Sequence, residues 1–279
     1  MRYFDTAPHY GLGLAERRLG AALRDLPRDE FFVSTKVGRA LIPTPENSGQ
    51  LDDDGFHVPA EFRREWDFSR DGILRSLEQS LERLGLDRVD ILYLHDPDDH
   101  WETASTTGID TLVELRDQGV VGAIGAGMNQ SAMLAEFVRR CDVDVVMLAG
   151  RYTLLDQSAL DDLLPLALER RVGVVAAGVY NSGLLSKPVV SDDSHFEYRA
   201  APSEMVERAR AIARVCGDHG VTLPDVAVQF ALRHPAVVSA VLGARDGKQA
   251  QGGLDRAAVV IPDALWDDLE ARGYVRTSS

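Results

Sequence analysis

The sequence of 279 residues predicts an α/β fold of the (β/α)8 TIM-barrel type. Three observations lead there. Short, continuous apolar runs recur along the chain, amphipathic segments with helix-end signals separate them, and ionisable residues stand at the C-terminal ends of several runs. Runs that are apolar throughout suit strands buried on both faces of a parallel sheet, and parallel strands need crossover connections that are usually helical. No G-x-G-x-x-G motif follows any run, which favours a barrel over an open nucleotide-binding sheet.

The strand runs are residues 2–5 (RYFD), 31–36 (FFVSTK), 89–95 (VDILYLH), 120–128 (VVGAIGAGM), 143–150 (VDVVMLAG), 172–178 (VGVVAAG) and 237–244 (VVSAVLGA), so seven barrel strands are evident. Between the second and third runs, Ser69 is a good N-cap. Ile73, Leu74, Leu77, Leu81 and Leu84 then form one apolar stripe, and Gly85 stands where a C′ glycine belongs. Ser158 is expected to open a second helix with Leu160, Leu163, Leu164, Ala167 and Leu168 inward and with Arg170 and Arg171 at its negative end. Two intervals, 38–68 and 181–202, are too long for simple connections. They follow strands at the end where barrels carry their active-site loops. No composition shift marks a linker, and a single domain over 1–279 is expected.

Composition narrows the function classes. With 45% hydrophobic and 27% charged residues the chain can bury a core. The 30 Lys and Arg against 44 Asp and Glu, a net charge of −14, argue against nucleic acid and anionic membranes as partners. No apolar run has the length of a membrane span, and Cys141 and Cys216 are too few for a disulfide framework, so a cytoplasmic location and two ordinary buried cysteines are expected.

Asp5, Lys36 and His95 end three successive strands, and Tyr10 follows Asp5 by five residues. Ionisable groups at the same end of apolar strands suggest a shared polar site. A neighbouring ammonium favours tyrosinate, and a carboxylate keeps that ammonium charged, so Tyr10, Lys36, Asp5 and His95 make an acid/base relay for a proton on a hydroxyl or carbonyl oxygen.

At these residues the chain resembles the aldo-keto reductases. FDTAPHYG with GLGLAE (4–16), STKVGR (34–39) and LERLGLDRVDILYLHDPD (81–98) look like three signature regions of that family, in its order. HDPD and AGRYTLL (149–155) look most like the branch that includes D-threo-aldose (L-fucose) 1-dehydrogenases and pyridoxal 4-dehydrogenases. The resemblance implies hydride transfer between a nicotinamide cofactor and an aldose, whose anomeric carbon would become a lactone, or a related alcohol or aldehyde. Tyr10 would exchange the proton, Lys36 would lower its pKa, Asp5 would pair with Lys36, and His95 would orient the substrate oxygen. RYFDTAPHYG matches the family's second strand and its loop, so the first β/α unit has no counterpart here, and a homo-oligomer covering an open barrel edge is an expectation.

The resemblance also implies cofactor contacts. Asn129 matches the family's amide-binding asparagine, Ala149 takes the place of a glutamine, and Tyr180 is the nearest stand-in for the stacking aromatic. Asn181, Ser182, Gly183 and Leu185 would line the pyrophosphate, and Gly243, Arg245 and Gln249 the adenosine end. Gln249 stands where NADP-preferring members carry an arginine, so the reading leans to NAD over NADP, although Arg245 could reach a phosphate. Three alternatives stay open: an NADPH-dependent aldehyde or ketone reductase, a cofactor-binding regulatory or inactive relative, and a metal-dependent barrel hydrolase using His95, Asp96, Asp98 and His100. Against the last, Pro97 forces a turn and the groups are consecutive, so no metal ligand is assigned.

Overall fold

The computed structural model describes residues 1–276. Along the chain run β1 (Tyr3–Asp5), α1 (Leu14–Leu23), β2 (Phe32–Val37), β3 (Arg39–Pro43), β4 (Phe62–Trp66), α2 (Arg70–Leu84), β5 (Ile91–His95), the short α3 (Trp101–Thr103), α4 (Ile109–Asp117) and β6 (Ala123–Met128). After these come α5 (Ser131–Arg140), β7 (Val145–Ala149), α6 (Leu163–Arg170), β8 (Gly173–Ala177), β9 (His195–Phe196), β10 (Arg199–Ala200), α7 (Ser203–Asp218), α8 (Leu223–Ala231), β11 (Val237–Ala240), α9 (Gly247–Ala257) and α10 (Asp263–Ala271). The chain forms two compact units, Met1–Met128 with Glu136–Val146, and Asn129–Ala135 with the chain from Met147 onward.

In the first unit β1 pairs with β2, β2 with β5 and β5 with β6, all parallel. The second unit contains the parallel pair β8 and β11. With β7, the described residues supply seven strands of the barrel type, each within one of the seven apolar runs except β2, which passes the end of its run by one residue to Val37. Among the described residues no helix is long and apolar enough to cross a membrane.

Local chemistry explains the elements that position the site. Ser69 accepts a hydrogen bond from the Gly72 N–H, and Gly85 ends α2 in the left-handed region at φ 65°, as the cap residues predict. Helix α1 lies close against the end of α2, because Gly20 has no side chain; a Cβ there would sit 1.9 Å from the Leu84 carbonyl oxygen. The same two helices and β2 share a buried carboxylate. Glu16, fully buried, accepts from the Thr35 hydroxyl at 2.8 Å and from Arg83 Nε at 2.5 Å, while Arg83 also donates to Ser80 Oγ. A buried charge persists only when paired and hydrogen-bonded in this way.

Several expectations change. Residues 38–68, too long for a simple connection, form a structured insertion: β3 and β4 make an antiparallel hairpin with Arg39 opposite Trp66, and its tip holds a 3₁₀ turn, Pro45–Asn47, and a bridge between Leu51 and Pro59. Residues 181–202 contain a smaller hairpin, β9 with β10. Ser158 opens only a 3₁₀ turn, Ser158–Leu160; α6 starts later, where Asp162 accepts from the Leu163 N–H at 2.5 Å. Leu168 faces outward at 48% exposure, because at 3.6 residues per turn it falls about a quarter turn from the middle of the buried stripe of Leu163, Leu164 and Ala167. Cys216 is buried, but Cys141 is partly exposed.

Replacing Glu16 by Ala leaves Arg83 without its buried counter-charge, and the fold is expected to lose about 3–5 kcal/mol, measured as the shift in urea unfolding relative to the native chain.

Candidate active site

Parallel pairing brings the C-terminal ends of β1, β2 and β5 side by side: Asp5 lies opposite Ser34, and Lys36 opposite Tyr93. The four relay candidates therefore meet in the first unit. Lys36 Nζ donates to Asp5 Oδ2 at 2.6 Å and to the Thr6 carbonyl at 3.0 Å. Asp5 is held on its other oxygen by the Ser34 hydroxyl at 2.6 Å, and Ser34 is in turn 2.8 Å from the Tyr3 hydroxyl. The ion pair is almost wholly removed from solvent, with side-chain exposures of 2% for Lys36 and 5% for Asp5.

Tyr10 is delivered by the turn after β1. Gly11, Leu12 and Gly13 all have positive φ (59°, 51° and 81°), a left-handed stretch that leads straight into α1 and explains the two glycines of YGLG. The Lys36 ammonium lies 4.8 Å from the centroid of the Tyr10 ring, and the Tyr10 and His95 rings meet edge-on at 5.8 Å. His95 Nδ1 is buried with no hydrogen-bond partner, and Nε2 is 3.5 Å from Asp96 Oδ2.

Burial is the largest influence on Tyr10 and raises its pKa; the Lys36 charge acts in the expected lowering sense but does not win. Burial alone would pull Lys36 down, yet the Asp5 carboxylate and the Tyr10 oxygen outweigh it and raise its pKa, so the ammonium stays charged. His95 is held well below its ordinary value by burial and by Lys36, and is neutral.

The β3–β4 hairpin adds groups that sequence reasoning missed. Arg39 stacks on Trp66, 4.3 Å to the ring centroid, and reaches Asp96 and Asp54 at 3.3 Å each. Arg64 is gripped by Asp52 through two contacts of 2.6 and 2.9 Å and donates from Nε to His9 Nδ1 at 2.6 Å. His9 packs edge-on to His95 at 5.6 Å. A polar cavity of about 480 Å³ is lined by Arg39, Asp52, Asp54, Arg64 and Trp66, among others. No local signal marked these residues, since their meeting depends on a hairpin register that residues 38–68 do not announce.

In the second unit a cavity of about 190 Å³ is lined by Asn129, Ala149, Gly150, Asn181 and Ser182, with Glu197 and Tyr198 at the β9–β10 turn. Arg151 pairs with Glu197 at 2.6 Å, and the Tyr198 N–H donates to Ser182 Oγ at 3.0 Å, two further contacts that the sequence did not reveal. Asn181 Nδ2 donates to the Gly150 carbonyl at 3.4 Å, whereas its Oδ1 is buried without a partner. Asn181, Ser182 and Gly183 all have positive φ. A buried acceptor without a partner, on a residue that lines this cavity, fits a nicotinamide cofactor, whose amide and ribose offer donors.

The other expected cofactor residues lie elsewhere in that unit. Tyr180 packs on Ala176, Val179 and Ala231, and Leu185 is turned fully into the core. Gly243, Arg245 and Gln249 are exposed near the start of α9, where Gln249 Oε1 accepts from the Arg245 N–H at 3.0 Å. Among the described residues no group of three or more His, Cys, Asp or Glu side chains is arranged to hold a metal ion.

The sequence matches the family model described as "Aldo/keto reductase family" over residues 1–272. The chain belongs to the aldo/keto reductase family. Like other aldo-keto reductases it is an oxidoreductase, and the family uses NAD(P)H. It is 49% identical to a D-threo-aldose 1-dehydrogenase from a Pseudomonas species, an alignment spanning 98% of this chain and 84% of that one. It is 36% identical to the pyridoxal 4-dehydrogenase of Microbacterium luteolum, over 99% of this chain and 85% of the relative. Among solved structures, the glycerol dehydrogenase of Gluconobacter oxydans superposes with a TM-score of 0.77 at 23% identity, covering 98% of this chain and 81% of that one. At that identity the likeness speaks to fold alone, and the fold is the (β/α)8 barrel type.

Proton uptake gives this chain a pH dependence of stability. Burial and the neighbouring Arg39 and Arg64 lower His9 from 6.5 to about 3, and His95 is also depressed. Below pH 6.5 the unfolded chain therefore binds more protons at these two groups than the folded one, and the fold loses stability as pH falls. Asp96 acts oppositely, since burial raises it to about 6, but one carboxyl offsets only one imidazole. The urea midpoint is expected to drop between pH 7 and pH 5, and to drop less in His9→Phe.

Proposed function

We propose that this chain is an NAD-dependent aldose 1-dehydrogenase whose proton relay is Tyr10, Lys36, Asp5 and His95. The observation that carries the reading is the buried Asp5–Lys36 ion pair against the Tyr10 ring, beside a His95 nitrogen that the protein itself leaves without a partner. Buried charge at this cost suits catalysis more readily than stability. The substrate class follows the Pseudomonas relative, whose name states action at C1 of a D-threo-aldose.

In the oxidising direction Tyr10, as phenolate, accepts the proton of the anomeric hydroxyl. Lys36 stabilises that phenolate, and Asp5 keeps the ammonium charged and aimed. Neutral His95 hydrogen-bonds the same substrate oxygen through its open ring nitrogen. The nicotinamide, when bound, supplies the acceptor for the hydride leaving C1, and the sugar departs as its lactone. Asn129, Asn181 and Ser182 are the residues assigned to hold the cofactor. Because burial keeps the Tyr10 phenol protonated at rest, the same relay is loaded as an acid for a different couple, the reduction of an aldehyde to a primary alcohol, which supports the reductase as the second reading.

Tyr10→Phe should lower turnover of L-fucose or D-arabinose with NAD by about 10²–10⁴-fold while NADH binding, followed by fluorescence titration, is retained; undiminished turnover would remove Tyr10 from the role. The cofactor choice rests on residues 243–249. Gln249 is uncharged and engaged with the Arg245 N–H, and Asp246 caps α9 by accepting from the Gln249 N–H at 2.8 Å, so the segment assigned to the adenosine end carries a carboxylate, which disfavours a 2′-phosphate. The kcat/KM ratio of NAD to NADP is expected to exceed about tenfold, and a ratio below one would reverse the assignment.

A further inference from the structure

Arg64, fixed by Asp52, makes a hydrogen bond to His9 that dictates the chemistry of the imidazole. A guanidinium has only donors, so the Arg64 Nε–H at 2.6 Å requires His9 Nδ1 to be an acceptor, and the ring proton must reside on Nε2. The tautomer is fixed from the hairpin: Arg64 and Asp52 expose only 7% and 2% of their side chains, and Arg64 also donates to the His9 carbonyl at 3.3 Å. Phe56 packs edge-on against the imidazole at 5.2 Å, so its plane as well as its tautomer is set. The ring then stands beside both Tyr10 and His95, at 5.8 and 5.6 Å between centroids. A histidine serving only to pack the loop would not need a buried ion pair behind it to choose which nitrogen carries the proton.

We propose that His9 is a specificity-determining substrate ligand, its Nε2–H donating to the hydroxyl oxygen on the carbon adjacent to the reacting carbon, with Arg64 and Asp52 as its positioning residues. The inference rests on the dehydrogenase reading for the location of the reacting carbon. It assigns the substrate a vicinal hydroxyl, which distinguishes hydroxyaldehydes and aldoses from simple aldehydes. A neutral donor suits this task, since a hydroxyl oxygen accepts one hydrogen bond without adding charge at a position already influenced by the Lys36 and Arg39 cations.

The test compares D-glyceraldehyde with propanal, which lacks the vicinal hydroxyl, in the reductive direction with NADH, using the full chain, His9→Phe, His9→Gln and Arg64→Met. His9→Phe should lower kcat/KM for D-glyceraldehyde by about tenfold, chiefly through KM, and change that for propanal by less than about threefold; His9→Gln, which keeps a donor, should recover part of the loss. Arg64→Met should erode the same selectivity. Equal losses on both aldehydes, or no loss on D-glyceraldehyde, overturn the proposal. A second readout is independent of turnover. Imidazole ¹⁵N spectra at pH 7 should show His9, assigned by its disappearance in His9→Phe, as the Nε2–H tautomer in the native chain and as a mixture in Arg64→Met; an Nδ1–H or cationic His9 in the native chain overturns the proposal. Should the chain reduce neither aldehyde, the aldehyde-reductase reading fails by itself while the dehydrogenase reading stands or falls with oxidation of L-fucose by NAD, and the His9 resonance on adding D-glyceraldehyde then decides the inference: a shift upholds it and a static resonance overturns it.

Discussion

The first unit is organised around the contact between Lys36 and Asp5. Two charges removed from water are unfavourable unless geometry and additional hydrogen bonds compensate, and here the Thr6 carbonyl and the Ser34 hydroxyl complete the coordination of both partners. That requirement fixes the register of β1 on β2, because a one-residue slip would turn Asp5 to the opposite face and leave the ammonium alone. It also fixes the electrostatics around it: the retained positive charge favours a phenolate at Tyr10 and helps keep His95 neutral. Burial is the larger influence on both groups, and the charge of the ion pair adjusts how far each departs from its ordinary value.

A second polar group, Glu16, plays the corresponding part on the outer side of β2. It ties α1, α2 and β2 through Thr35 and Arg83, and lies six residues after Tyr10 in the chain. The turn carrying Tyr10 is therefore anchored at one end by the strand holding Asp5 and at the other by a helix whose buried carboxylate cannot shift without leaving Arg83 unpaired. In the hairpin, Asp52 and Arg64 repeat the device, since a buried pair there positions a third side chain, His9.

Much of this architecture was legible in the sequence, and the reason is local. Strands buried on both faces write themselves as apolar runs, and the ionisable residues at their ends stand out because they break those runs. Ser69 and Gly85 bounded α2 correctly because cap chemistry depends on a few adjacent residues. The same logic misled at Ser158, where Asp162, four residues on, competes for the same role and wins. The environment of His9 was illegible for a different reason: its partner Arg64 is 55 positions away, across a hairpin whose strands are short and polar on one face. The pKa of Tyr10 was misjudged because a sequence lists the neighbours that carry charge but not the water that has been excluded.

The left-handed stretch Gly11–Leu12–Gly13 bears on binding as well as on shape. A loop that has to be ordered when substrate arrives loses conformational entropy at that moment, and the loss is subtracted from affinity. Here the phenol-bearing turn hydrogen-bonds within itself, from the Tyr10 N–H to the Ala7 carbonyl and from the Ala15 N–H to the Tyr10 carbonyl. Its freedom is surrendered during folding, when the burial of the surrounding core offsets it. Encounter with a small, heavily hydrated sugar then leaves little backbone to immobilise, so more of the limited interaction energy of such a ligand can go toward discriminating among its hydroxyl groups.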